Sequence, residues 1–127
     1  MNALVSIITP SYNSAKFIAE TIQSVQSQTY SNWEMIIVDD GSSDETENVV
    51  LSIIQNDNRI QFHKLSQNSG PAVARNTGIE KASGDYMTFI DADDIWFSTF
   101  IENNIKTIQE TEIPFVFSSY KRANEQL

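Results

Sequence analysis

Asp91-Ala92-Asp93-Asp94 places three carboxylates within four residues. Close like charges disfavour one another's ionised form, so this crowding is unfavourable unless something offsets it. A hard divalent cation does offset it. Mg2+ and similar ions take oxygen ligands, commonly one or two carboxylates together with substrate phosphates. The same residues also fit an acidic turn that caps the helix after it. A second acidic pair, Asp39-Asp40, ends another apolar run and favours the metal reading.

Both acidic groups need elements to hold them. Tyr86-Met87-Thr88-Phe89-Ile90 reads as a buried strand, so Asp91 stands where a strand becomes a loop. Leu4 to Thr9 is β-branched and stops at Pro10, the pattern of a first strand. Ile18, Ile22 and Val25 recur at helical spacing between Ala15 and Gln28, with Ser14 as the expected cap. Trp33 to Val38 is a second strand. Ser43 is the expected N-cap of a helix carrying Val49, Val50, Ile53 and Ile54, with Asp44 and Glu45 in its first turn. Arg59 to Leu65 alternates as a third strand. Pro71 suits the first position of a third helix, which carries Val73, Arg75, Asn76 and Ile79. Phe97 to about Glu110 is a fourth helix, and Pro114 to Ser118 a last strand.

Strand and helix thus alternate. Such a chain predicts an α/β, Rossmann-like fold: a mainly parallel sheet with right-handed crossovers and helices on both faces. The strands read as near-continuously apolar, as a sheet covered on both sides requires. Residues 1–118 form one domain, with 119–127 as a polar tail. In open sheets of this kind ligands bind outside the carboxyl ends of the strands. Thr9-Pro10-Ser11-Tyr12, Asp39-Asp40-Gly41-Ser42 and the acidic run all fall on that edge.

Composition narrows the partners. The net charge over 127 residues is −9, with only three arginines and five lysines. A nucleic-acid backbone wants a basic patch, so that partner is excluded. A small phosphorylated ligand is compatible if it arrives with a cation. No cysteine is present, which removes thiol nucleophiles, disulfides and zinc–thiolate sites. No signal peptide and no run of membrane-spanning length is visible, so the expected location is cytoplasmic, with the inner membrane face as a peripheral option.

Other chemistry-bearing residues carry two readings each. Asp39-Asp40 either caps a turn before Gly41-Ser42 or accepts hydrogen bonds from a nucleobase imide or a ribose hydroxyl. Arg75 either holds a phosphate or an acidic loop near a helix N-terminus, or is a solvated surface residue. Asn76 and Gly78 fit packing and close helix–strand approach. Tyr12 could stack on a flat base or lie over the core edge. Trp33 and Trp96 fit packing, the Met residues fit core filling, and His63 has no spaced partner. Neither G-x-G-x-x-G nor G-x-x-x-x-G-K-[ST] occurs, which argues against a dinucleotide cofactor and a P-loop.

Taken together these stretches resemble glycosyltransferase family 2, the inverting enzymes of the glycosyltransferase-A fold. The resemblance runs through Val5 to Asn13, Ser27-Gln28-Thr29-Tyr30, Ile37 to Asp44, Asn68 to Gly78, Gly84-Asp85-Tyr86 and Phe89 to Asp94. It implies the nucleotide-sugar-binding half of such an enzyme, acting with Mn2+ or Mg2+ in polysaccharide or cell-surface glycan synthesis. By resemblance, Thr9, Pro10 and Tyr12 line the nucleoside pocket, and Asp40 with Asp39 beside it recognises the base. Asp91-Ala92-Asp93 forms the D-x-D motif, Asp93 as the direct metal ligand and Asp91 nearer the ribose and metal waters. Asp94 fits either an outer position or a helix cap, and Arg75 supports the diphosphate.

The donor expected by resemblance is a uridine-diphosphate sugar, and the acceptor a glycan or other hydroxyl. Self-association through an exposed apolar face is also open. The family places its general base in a later segment, so the base is expected beyond Leu127. This makes a non-catalytic nucleotide-sugar-binding fragment the alternative. A receiver-like signalling domain is remote, because it needs an acidic pair after the first strand, where Thr9-Pro10-Ser11 stands. A nucleotidyltransferase lacks its Gly-rich basic loop here.

Overall fold

The computed structural model describes residues 2–113. Eight elements alternate: β1 (Val5–Ser11), α1 (Ile18–Gln26), β2 (Trp33–Asp39), α2 (Thr46–Ile54), β3 (Ile60–Lys64), α3 (Pro71–Lys81), β4 (Tyr86–Phe89) and α4 (Phe100–Thr111). The four strands form one parallel sheet in the order β3-β2-β1-β4. The chain therefore winds outward from β1 to β3, then returns to the far side of β1 as β4. That reversal leaves a crevice between the carboxyl ends of β1 and β4, where open α/β sheets bind ligands.

Period-two alternation divides the apolar strand residues between two faces. Ile7, Met35 and Ile37 pack with Ile18, Ile22 and Val25 of α1, Val50 of α2, and Ile101 and Ile105 of α4. Ile36 and Val38 turn the other way, toward Ala74 of α3. Helices thus cover both faces, as the alternation predicts. Gly78 allows α3 to sit close: a Cβ there would lie 2.6 Å from Ile8 Cγ2. Trp33 is buried and carries the Arg59 guanidinium over its ring, and Trp96 stacks on Phe100, both packing roles.

Several expectations need correction. β4 is not a buried strand. It is an edge of the described sheet, and Met87 and Phe89 are each 43 % exposed, so Met87 is not core filler. The apolar run was misleading because hydrophobicity alone does not say which strand ends a sheet. Ser43 does not cap α2. The N-cap position is Glu45, which makes no side-chain cap; Asp44 and Glu45 precede the helix instead of lying in its first turn, and Asp44 Oδ1 accepts the Thr46 N–H at 3.0 Å. Ser14 contributes its carbonyl, not its hydroxyl, to the start of α1, accepting the N–H groups of Phe17 and Ile18. Helices α1 and α4 begin at Ile18 and Phe100, each about one turn later than periodicity suggests. Asn76 is exposed, against the expected packing role. The strand expected at Pro114–Ser118 and the tail at 119–127 lie outside the described residues. No helix among those described is long and apolar enough to cross a membrane.

Candidate functional site

Register brings the first two polar loops together. Ser11 pairs with Asp39 at the last position of the β1–β2 ladder. The Asp39 carboxylate is fully buried and accepts three hydrogen bonds, from Ser11 Oγ at 2.8 Å, Ser42 Oγ at 2.6 Å and the Ser42 N–H at 2.8 Å. A buried carboxylate needs such donors, because an unpaired buried charge is very costly. Asp39 is thus the internal brace of the turn after β2. Gly41 gives that turn its positive φ of 77° and lets it approach the Asn68 backbone. Asn13, at φ 48°, completes the frame: its N–H donates to Ser42 Oγ and its Oδ1 accepts the Ser43 N–H.

Asp40 faces the other way. Its two oxygens accept the N–H groups of Ser69 at 2.7 Å and Gly70 at 2.9 Å, and it is 4 % exposed. This clamps the loop that leads into α3. Arg75 follows in that helix, half-buried, and its guanidinium has no ion-pair or hydrogen-bond partner among the described residues. A half-buried cation near a helix N-terminus favours an anion.

β1 does not stop at Pro10 as the sequence suggests: Thr9 and Pro10 stay in the strand, paired with Ile37 and Val38, just before its last residue, Ser11. Thr9 is fully buried, and its Oγ1 makes no hydrogen bond within the described structure. Tyr12 is half exposed at the mouth.

The acidic run lies across the crevice. Ile90 continues the ladder with its N–H on the Ile8 carbonyl, and the chain then turns, the Asp94 N–H donating to the Asp91 carbonyl. Ala92 is buried, whereas Asp91, Asp93 and Asp94 are exposed. One oxygen from each of the three carboxylates lies within 4.8 Å of the others. Oxygen ligands of a small divalent ion sit about 2.0–2.6 Å from it, so two of them are at most about 5 Å apart. The donor set is all hard oxygen and its spacing is compatible with such an ion. Burial, and then the charges of Asp91 and Asp93, push the Asp94 carboxyl above its ordinary value. Burial leads, and the smaller charge contribution is the mutual repulsion expected of clustered acids.

A further set of residues escaped sequence reasoning. Thr21 and Ser24 on the buried side of α1, and Gln28 two residues past its end, reach the backbone of the acidic loop and the start of α4. Their signal was present: polar residues spaced three and four apart beside the stripe of Ile18, Ile22 and Val25. Hydrophobic periodicity passes over polar residues that are buried.

Comparison with known proteins agrees with this architecture. The sequence model of glycosyl transferase family 2 matches residues 6–126. The glycosyltransferase TuaG of Bacillus subtilis, named for teichuronic acid biosynthesis, is 44 % identical over 92 % of this chain and 46 % of its own. An Escherichia coli protein named UDP-Glc:alpha-D-GlcNAc-diphosphoundecaprenol beta-1,3-glucosyltransferase WfgD is 42 % identical over 95 % of this chain and 47 % of its own. The chain thus spans less than half the length of these curated relatives. Among solved structures, S. aureus TarS in complex with UDP superposes with a TM-score of 0.80 at 31 % identity, over 85 % of this chain and 32 % of that one. The mannosyltransferase PcManGT of Pyrobaculum calidifontis, in complex with GDP-Man and Mn2+, gives 0.80 at 26 % identity, over 85 % of this chain and 33 % of that one. The fold is that of the glycosyltransferase-A enzymes. From its matched length, its sheet topology and these relatives, the chain belongs to glycosyl transferase family 2.

Proposed function

We propose that this chain forms the donor-binding part of an inverting glycosyltransferase that takes a nucleotide-diphosphate sugar with a divalent metal. The observation that carries the reading is the placement of three exposed carboxylates at the end of β4, beside the crevice where the chain reverses around β1. Asp93 and Asp91 would hold Mn2+ or Mg2+, with Asp94 beside them. The cation supplies charge neutralisation to the departing diphosphate.

The chain's own groups do the rest. The orphan Thr9 hydroxyl, Pro10 and Tyr12 line the nucleoside side. Asp40 reads the base while its carboxylate also holds Ser69 and Gly70, and Asp39 keeps the turn beneath it in shape. Arg75 offers its guanidinium to the diphosphate. In the transfer, an acceptor oxygen attacks the anomeric carbon, the bond from that carbon to the diphosphate breaks on the opposite side, and the acceptor proton goes to a general base. We assign no base among the described residues.

Uridine diphosphate is the proposed carrier. The similar TarS structure contains UDP, whereas the PcManGT structure contains GDP-Man. The proposed setting is polysaccharide or cell-surface glycan synthesis in the cytoplasm, in line with the names of the bacterial relatives.

Calorimetric titration of UDP, with and without Mn2+, into the wild-type chain and Asp93→Ala tests the reading. Tight binding only with metal, lost in Asp93→Ala, is expected. Binding that ignores both the metal and the substitution would overturn it. GDP in parallel tests the choice of base.

A further inference from the structure

The apolar stripe of α1 predicts an ordinary core contact, yet three polar side chains lie beside it under cover. Thr21, Ser24 and Gln28 are 0 %, 9 % and 7 % exposed. Each is committed to the backbone that follows Asp91. Thr21 Oγ1 lies 2.7 Å from the Asp94 carbonyl and 3.0 Å from the Ala92 carbonyl, with one proton to give. Ser24 Oγ donates to the Thr21 carbonyl at 2.7 Å and accepts the Trp96 N–H at 3.2 Å. Gln28 uses both ends of its amide. Nε2 donates to the Phe97 carbonyl at 2.7 Å, and Oε1 accepts the Ile101 N–H at 3.0 Å. The N-cap residue of α4, Thr99, makes no side-chain cap. Gln28 therefore caps α4 from the segment that follows α1.

Three exposed acids on one turn repel one another, and the Asp91 and Asp93 carboxylates accept no hydrogen bond from the described residues. Their separation is consequently set by the backbone that carries them. That backbone is bonded to α1 at Ala92 or Asp94 and at Trp96, and to Gln28 just past α1 at Phe97. We propose that Thr21, Ser24 and Gln28 are positioning residues for the acidic loop, holding the Asp91 and Asp93 carboxylates at a separation that a divalent cation can bridge. They touch neither cation nor nucleotide. The inference rests on reading Asp91–Asp94 as a metal site, and it assigns the preorganisation of that site to α1 and the residue Gln28 just past it.

The test uses the whole chain with Mn2+ as probe, at fixed UDP, followed by water-proton relaxation. Calorimetry of UDP without metal and the thermal midpoint are measured alongside. Thr21→Val and Gln28→Met should weaken Mn2+ binding by roughly tenfold or more, the scale found when a group that orients a metal ligand is lost. UDP binding without metal should be unchanged, and Thr21→Ser, which keeps the hydroxyl, should retain Mn2+ affinity. A ladder that only stabilises the fold would lower the midpoint and both affinities together, or neither affinity, and either result overturns the proposal. Should Thr21→Val or Gln28→Met fail to fold, Ser24→Ala removes one rung with little loss of packing and carries the same comparison. No Mn2+ effect in the wild type would overturn the metal reading and this inference with it. Undiminished Mn2+ binding in the variants overturns the inference alone.

Discussion

The Asp40 carboxylate accepts the Gly70 N–H at 2.9 Å, tying the end of β2 to the N-terminus of α3 across thirty residues of sequence. The neighbouring Ser69 N–H, at 2.7 Å, makes the clamp two-pronged. It joins the proposed base-reading loop to the start of the helix that carries Arg75. Removing the carboxylate in Asp40→Ala is expected to cost about 1–3 kcal/mol, the range for a lost charge-assisted hydrogen bond. Urea unfolding of the two chains checks this. An unchanged midpoint would mean that water or another group replaces the clamp without loss.

Thr9 offers a different combination. Its buried Oγ1 has no partner within the described structure. Thr9→Val keeps the shape and removes the unpaired hydroxyl, so stability should hold or rise by up to about 1 kcal/mol. UDP affinity should fall by up to about tenfold if the hydroxyl bonds the nucleotide, since one neutral hydrogen bond contributes about 0.5–1.5 kcal/mol. Thermal unfolding and calorimetry on one preparation give both numbers. A destabilised variant with normal UDP affinity would contradict both halves.

Gly78 tests the contact between α3 and β1. In Gly78→Ala the new Cβ would stand 2.6 Å from Ile8 Cγ2, in a residue that is fully buried. Overpacking of this kind costs about 1–3 kcal/mol. Alanine's better helix propensity returns at most about 1 kcal/mol. Net destabilisation is expected in chemical denaturation, and a stabilised variant would show that α3 can lift from the sheet freely.

Glu34 ties stability to pH. Burial works to raise its pKa, but hydrogen bonds from Ser6 Oγ, the Ser83 N–H and Ser83 Oγ outweigh it and hold the carboxyl below its ordinary 4.5. The folded state thus binds this proton less readily than the unfolded chain. The stabilisation is complete above pH 4.5 and is lost as pH falls through the depressed folded value. Wild type should therefore lose more stability than Glu34→Gln on acidification below that point. Parallel urea midpoints for the two chains across the range would remove Glu34 from the account.

By itself the sequence determined the alternation of strands and helices, the side of the sheet on which the polar loops gather, and the three acids after β4. Those features are local: a period of two or 3.6, a Pro or Gly that stops an element, charges adjacent in the chain. The order and spacing of six stretches, from Val5–Asn13 to Phe89–Asp94, also pointed to the family. Only the tertiary structure decided which strand lies at the edge of the described sheet, with Met87 and Phe89 exposed among the described residues. It also separated Asp39 from Asp40, two adjacent and identical side chains. One, the last residue of β2, is sealed beneath Ser11 and Ser42; the other, the first residue past the strand, is turned to Ser69 and Gly70. The ladder of Thr21, Ser24 and Gln28 belongs to the same class. A buried polar side chain is stable only with partners, and those partners lie some seventy residues away in the sequence.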